Sequence, residues 1–431
     1  MDESRADTRA PEIKDKSRAF YGGFVRLIGL THCSRKQSTT VPKGVKQGAK
    51  QGAKLTPSGS GSILAKKVWQ EVTSRERFEG FLSRSRIDRV PVQLQNMVLA
   101  AQAAGQDFPV TFSNPDLIVQ GHIVEWEKYH HDGIIVDVGT HAAAEAVGCR
   151  VQYATGELPR VTGGAISDWS EAGSLRIPDI TSTFPLTVVL QAVAALKRQI
   201  GRHAIIIATV DQGPFTLTTQ IAGLEKTLLA LAAGEAEEEI RTLLEFCTRF
   251  TLAYGRELAQ AGADVIRMGD SISGPDLVSP SLYRRYALPS QRTLAAEFAK
   301  QGTTFAFHIC GDATAIIGDM ASSGAAYVEI DEKTDLETAR KSVQAGGGIS
   351  GPVSPRILRF GTAPEVERTC QGILTAWMPQ GGLFFGPGCT LAKDTPEENI
   401  RVLIDCAARY GSYAGRNTHA EKIVDTLRRG K

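Results

Sequence analysis

Eight short apolar runs punctuate the chain, at residues 90–92, 133–139, 204–210, 264–270, 304–310, 326–331, 348–353 and 383–388. Between them lie segments in which apolar residues recur every three or four positions, at 115–130, 185–200, 215–233, 236–260, 282–301, 336–345, 364–377 and 396–410. Continuous apolar strands alternating with amphipathic helices predict a parallel sheet with helices outside it. Eight repeats predict closure, so the fold class is α/β, a (β/α)8 TIM-type barrel. A doubly wound dinucleotide fold is the alternative, but no strand here feeds a Gly-x-Gly-x-x-Gly turn. Thr73-Ser-Arg-Glu76 opens the folded part as a capping box, and Phe78, Phe81 and Leu82 give the helix that follows an apolar side. The polar, glycine-rich stretch 151–178 reads as an insertion or loop excursion.

The fifth run, Thr304-Phe-Ala-Phe-His-Ile-Cys310, carries chemistry as well as packing. Side chains alternate along a strand, so His308 and Cys310 project from one face just before Gly311 ends the run. The C-terminal rim of barrel strands is where enzymes of this architecture place their reactive groups. Cys389 closes another short apolar run, and His308, Cys310 and Cys389 together suggest a zinc site with an open position. Three acids sit at presumed strand ends. Glu329 and Asp331 share a strand parity beside the His-x-Cys strand, and either can fill the vacant position on the metal; Asp270 can orient substrate or a metal-bound histidine. These three are the candidate catalytic residues. His130, His131 and His141 read as a helix end and a surface loop rather than a second metal cluster. Cys33, Cys149, Cys247, Cys370 and Cys406 read as small buried hydrophobes.

Charge divides the molecule. Residues 1–67 carry fourteen Lys/Arg and five Asp/Glu, and no acidic residue occurs between Lys16 and Lys67. With little apolar surface to offset its ordering entropy, this segment reads as a disordered basic extension, 1–67, ahead of a barrel at 68–415 and a C-terminal tail at 416–431. Its early acids argue against a transit peptide. An odd cysteine count of seven, widely spread, argues against a secreted disulfide framework, and no apolar run has the length of a membrane span, so a soluble cytoplasmic protein is expected.

Several motifs in order carry a family likeness. Arg86-Ile-Asp-Arg-Val-Pro-Val92 with the preceding Glu76-Arg-Phe78, Gly213-Pro-Phe-Thr-Leu217, Gly262-Ala-Asp264 leading to Asp270-Ser271, Ser279-Pro-Ser-Leu-Tyr283, and Gly388-Cys389 followed by Thr395-Pro-Glu-Glu-Asn-Ile400 span most of the chain. The pattern resembles the uroporphyrinogen decarboxylase-like superfamily. True decarboxylases there carry arginines after the first strand that clamp the porphyrinogen carboxylates, whereas residues 92–105 here contain none. The His-x-Cys and distant Cys are similar instead to the zinc-dependent corrinoid methyltransferase branch, which includes the methylcobamide:coenzyme M methyltransferases.

That resemblance implies Zn²⁺ held by His308, Cys310 and Cys389, and a methyl-corrinoid co-substrate carried by a partner corrinoid protein. It implies a thiol or folate-type acceptor or donor as the second substrate, with no membrane and no nucleic-acid partner. A decarboxylase-type lyase acting on a tetrapyrrole carboxylate is the first alternative; a non-catalytic barrel with a polyanion-binding tail is the second. Gly351-Pro-Val-Ser-Pro355 stands where many relatives have Gly-Asn-Val-Asp-Pro, and Ala392-Lys393 replaces the usual Pro-Pro, so the mouth of the barrel departs from the pattern more than the ligands do.

Overall fold

The structure is a computed structural model and describes residues 72–344 and 346–413; the basic extension and the C-terminal tail lie outside the described residues. Eight parallel strands form one sheet: β1 (Gln93–Leu94), β2 (Gly133–Val136), β5 (Ile205–Gln212), β6 (Val265–Gly269), β7 (Thr304–Ile309), β8 (Tyr327–Ile330), β9 (Gly348–Val353) and β10 (Leu383–Pro387), each beside the next in that order. A bridge between Val92 and Phe385, with the Phe385 N–H donating to the Pro91 carbonyl at 2.9 Å, joins the last strand to the first and closes the barrel. Between β2 and β5 the chain adds a small antiparallel pair, β3 (Arg150–Gln152) and β4 (Arg160–Gly163).

Burial explains why the strands are apolar on both parities. Every residue of β2, β5, β6, β8, β9 and β10 is buried, because one face meets the helices and the other fills the barrel. The N-terminal mouth is plugged by the helix Ser74–Ser83, whose capping box between Thr73 and Glu76 is present. Phe81 from that helix packs edge-on against Tyr327 and tilted against Phe384, with ring centroids 5.4 Å from each, and Phe78 lies 5.5 Å from Phe384. Only the C-terminal mouth is left for chemistry.

Several expected elements shift. The first strand begins at Gln93 rather than at 90, because Val92 makes only a single bridge to Phe385. The segment 215–233 is two helices, Pro214–Ala222 and Leu224–Ala233, divided at Gly223 with φ +95°, a conformation that no continuous helix contains. The segment 282–301 begins with a wide turn, Tyr283–Ala287, before the helix Leu288–Lys300. Residues 151–178 are not plain loop: they hold the β3–β4 pair and a short 3₁₀ helix, Trp169–Ser174. Two further helices, Met97–Ala103 and Phe108–Phe112, follow β1 and had no counterpart in the hydrophobic pattern.

The histidine expectation also needs correction. His130 does end the helix Pro115–Tyr129, in the left-handed region at φ 46°. His131 and His141, however, are each only 1% exposed and are not on a surface loop. The chain enters β2 two residues after His131, so that side chain packs inward near His122, where burial lowers its basicity to about 3.

Candidate metal centre and its cavity

His308 is the fifth residue of β7, and Cys310 follows the strand by one residue. Their shared parity turns both toward the barrel mouth. Cys389 arrives from the end of β10, where Gly388 lets the backbone lie against the end of β8: a Cβ at Gly388 would sit 3.0 Å from the Ile330 carbonyl oxygen and 3.1 Å from the Asp331 Cα. Gly311, at φ +84°, turns the chain away after Cys310 in a conformation that disfavours any side chain. The potential ligand atoms of His308, Cys310 and Cys389 all lie within 4.8 Å of one another, and theirs is the one such cluster among the described residues.

The donor geometry suits a tetrahedral ion. Cys310 and Cys389 Sγ are 3.7 Å apart. Two thiolates each about 2.3 Å from a tetrahedral zinc lie about 3.8 Å apart. His308 Nδ1 faces the Glu329 backbone carbonyl at 3.3 Å, which can only accept, so Nδ1 carries the proton and Nε2 offers its lone pair toward Cys310 Sγ, 2.9 Å away. Without a metal, the hydrogen bond with Cys389 holds the Cys310 thiol below its ordinary value despite burial. The same bond, reinforced by burial, pushes Cys389 well above its own. Burial opposes charge on His308, yet the hydrogen bond and charge of Cys389 raise it. The three groups share protons that a cation would displace.

The three acids take different places, and none joins the ligand cluster. Glu329 is fully buried inside the barrel: its Oε2 accepts from Arg267 Nε at 2.7 Å and its Oε1 from Gln93 Nε2 at 3.2 Å. Asp331 stands beside the turn after Cys310, its Oδ2 accepting from the Gly311 N–H at 3.0 Å. Asp270 is a brace. Its Oδ1 accepts from Thr216 N at 2.9 Å and Thr216 Oγ1 at 3.0 Å, and its Oδ2 from Gln291 Nε2 at 3.0 Å. Its N–H donates to the His308 carbonyl, so it steadies the strand behind the imidazole rather than touching the ring.

The cluster opens into a cavity that Asp137, Asp211, Arg267, Gln95 and Gln212 also line. None of these five was singled out from sequence, although a signal was present. Asp137 and Asp211 follow apolar residues at the ends of strands, as Asp270 and Asp331 do, and Arg267 is a charge inside an otherwise apolar run. Burial pushes the Asp211 carboxyl up to about 8, against the Ala143 N–H that favours its charge and with the nearby Asp137 charge adding to the rise.

The profile of the uroporphyrinogen decarboxylase (URO-D) family matches residues 73–410. The chain belongs to the uroporphyrinogen decarboxylase family. Within it, the chain is 26% identical over 351 residues to the methylcobamide:CoM methyltransferase MtbA of Methanosarcina acetivorans, covering 79% of this chain and 99% of that protein. MtaA of Methanosarcina barkeri, of the same name, is also 26% identical over 351 residues, at 80% and 99% coverage. The uroporphyrinogen decarboxylase of Syntrophotalea carbinolica is 29% identical over 225 residues, 51% of this chain and 64% of that one. A solved methyltransferase from Methanosarcina mazei superposes with a TM-score of 0.72 at 23% identity, covering 79% of this chain and 99% of its own, a likeness of fold.

Proposed function

We propose that this family member is a zinc-dependent methyltransferase that moves a methyl group between a corrinoid, carried by a partner protein, and a thiol or similar acceptor. The observation that carries the reading is the ligand geometry: two sulfurs 3.7 Å apart and an imidazole nitrogen turned toward them at the edge of an open cavity. The relatives named as methylcobamide:CoM methyltransferases, matched over nearly their whole length, support the reaction class and the corrinoid. His308, Cys310 and Cys389 would hold the zinc, which would supply the acidity that makes a thiol a thiolate near neutral pH. Transfer forms a C–S bond with the sulfur electron pair, while the pair of the Co–C bond stays on cobalt.

The chain's own residues prepare that step. The Glu329 carbonyl fixes the His308 tautomer, and the Glu329 carboxylate, bound to Arg267, keeps the β8 wall rigid behind it. Asp331 holds the turn after Cys310, and Asp270 ties the end of β6 to the helix Pro214–Ala222 that follows β5; in this reading all three acids are positioning residues. No helix of the described residues is long and apolar enough to cross a membrane, and the six described cysteines are free thiols, which supports a reducing, cytoplasmic setting.

The test supplies free methylcobalamin and a small thiol to the metal-replete protein. Loss of the methylcobalamin spectrum with stoichiometric thioether in the mass spectrum is expected, together with loss of bound zinc and of turnover in Cys389→Ser. No conversion with any thiol, or decarboxylation of uroporphyrinogen by metal-free protein, would favour the lyase reading. Against that reading stands the cavity wall, whose one guanidinium, Arg267, is already bound by acids.

A further inference from the structure

The cavity has a charge pattern of its own, and it bears on which substrate the metal corner serves. Arg267 is the one Lys or Arg lining it among the described residues. Its Nε is 2.7 Å from Glu329 Oε2, its Nη1 3.7 Å from Asp137 Oδ2 and its Nη2 3.3 Å from Gln95 Oε1, so the guanidinium faces two carboxylates and an amide oxygen. With both acids ionised, Arg267, Glu329 and Asp137 together carry one more negative charge than positive; Asp211, whose carboxyl burial pushes up to about 8, adds oxygens to the wall and no charge at neutral pH. The positive end of the helix Pro214–Ala222, the other natural anion site at the mouth, is occupied: Asp270 accepts from its Thr216 N–H.

The hydrogen-bond inventory points the same way. Each amide of the wall gives one of its two N–H donors to the protein, Gln95 Nε2 to Glu329, Gln212 Nε2 to Asp211 and Gln220 Nε2 to the Thr140 carbonyl. An acceptor is left over: Gln220 Oε1 is shielded from solvent and has no partner. A ligand entering this space meets carboxyl and amide oxygens, hydroxyls and the remaining amide N–H groups, and among the described residues no lysine or arginine other than the acid-paired Arg267.

From this we infer that the cavity takes a thiol whose body is neutral or cationic and carries hydrogen-bond donors, such as a hydroxy- or amino-thiol, and disfavours one bearing a sulfonate or several carboxylates. The inference rests on the thiol methyltransferase reading above. It separates this chain from the coenzyme M, a sulfonate thiol, in the names of its relatives.

Three thiols of one length make the test: 2-aminoethanethiol, 2-sulfanylethanol and 2-sulfanylethanesulfonate, titrated calorimetrically into zinc-loaded protein, each affinity corrected for the thiol's own pKa. The amine and the alcohol should bind on the order of ten-fold or more tighter than the sulfonate, the scale that like charge a few ångströms away imposes in a partly desolvated site. Asp137→Asn should narrow that ratio. Equal or tighter binding of the sulfonate overturns the inference, as does a ratio unchanged in Asp137→Asn. If a variant fails to fold, the wild-type series decides alone. Should none of the three bind, the thiol reading itself falls, and this inference with it.

Discussion

Two pairs of cysteines sit close together in this barrel, and of the two only Cys310 and Cys389 have a histidine beside them at a cavity. Cys310 and Cys389 meet at the C-terminal mouth, and Cys370 and Cys406 meet between the helices Ala363–Trp377 and Glu397–Arg409 on the outside. The electrostatics are alike: a hydrogen bond raises one thiol of each pair, Cys389 or Cys370, and lowers the other. The surroundings differ. Cys370 and Cys406 are at most 1% exposed and pack in the apolar core, whereas Cys310 and Cys389 line the cavity with His308 beside them. Proximity of thiols therefore says little; a third ligand with a fixed tautomer and an open side make the difference.

Metal content sharpens that contrast most. Cys310→Ser and Cys389→Ser should each lose most of the zinc, because a hydroxyl is a far weaker ligand than a thiolate, while Cys370→Ser and Cys406→Ser should keep about one ion per chain. Mass-spectrometric metal analysis reads this directly, and equal zinc in all four variants would erase the distinction. Alkylation is the next largest effect. In metal-free protein, iodoacetamide should label Cys310 first, since its thiol is held below the ordinary value at a cavity edge, and zinc should protect it. Labelling of Cys370 at a similar rate in folded protein would contradict the burial seen here. Stability separates the pairs more modestly and in reverse: Cys370→Ser should cost roughly 1–3 kcal/mol in denaturant unfolding for its buried hydroxyl, and Cys310→Ser in metal-free protein distinctly less.

Much of this was visible in the chain because the barrel writes itself as strands apolar on both parities, and because parity alone puts His308 and Cys310 on one face. Cys389 is different: it is 79 residues beyond Cys310, too far for any local ligand spacing, and its place at the end of another short apolar run brought it to notice, with the family likeness in support. What sequence hid are contacts made across the barrel interior. Arg267 finds Glu329 across 62 residues of chain, which turns a suspected metal ligand into the partner of a guanidinium. Asp270 looked like other acids at strand ends, and only Thr216 and Gln291 show it to be a brace. The break at Gly223 was legible as a glycine, but a helix tolerates glycine, so the φ of +95° had to be seen.

The central claim is that His308, Cys310 and Cys389 form one open metal site. Zinc-edge X-ray absorption of the reconstituted wild-type protein tests it most directly. The geometry predicts two sulfur ligands near 2.3 Å and one imidazole nitrogen near 2.0 Å, with a third sulfur appearing when a thiol substrate is added. A zinc surrounded by oxygen and nitrogen alone, or a sulfur count that ignores added thiol, would contradict it.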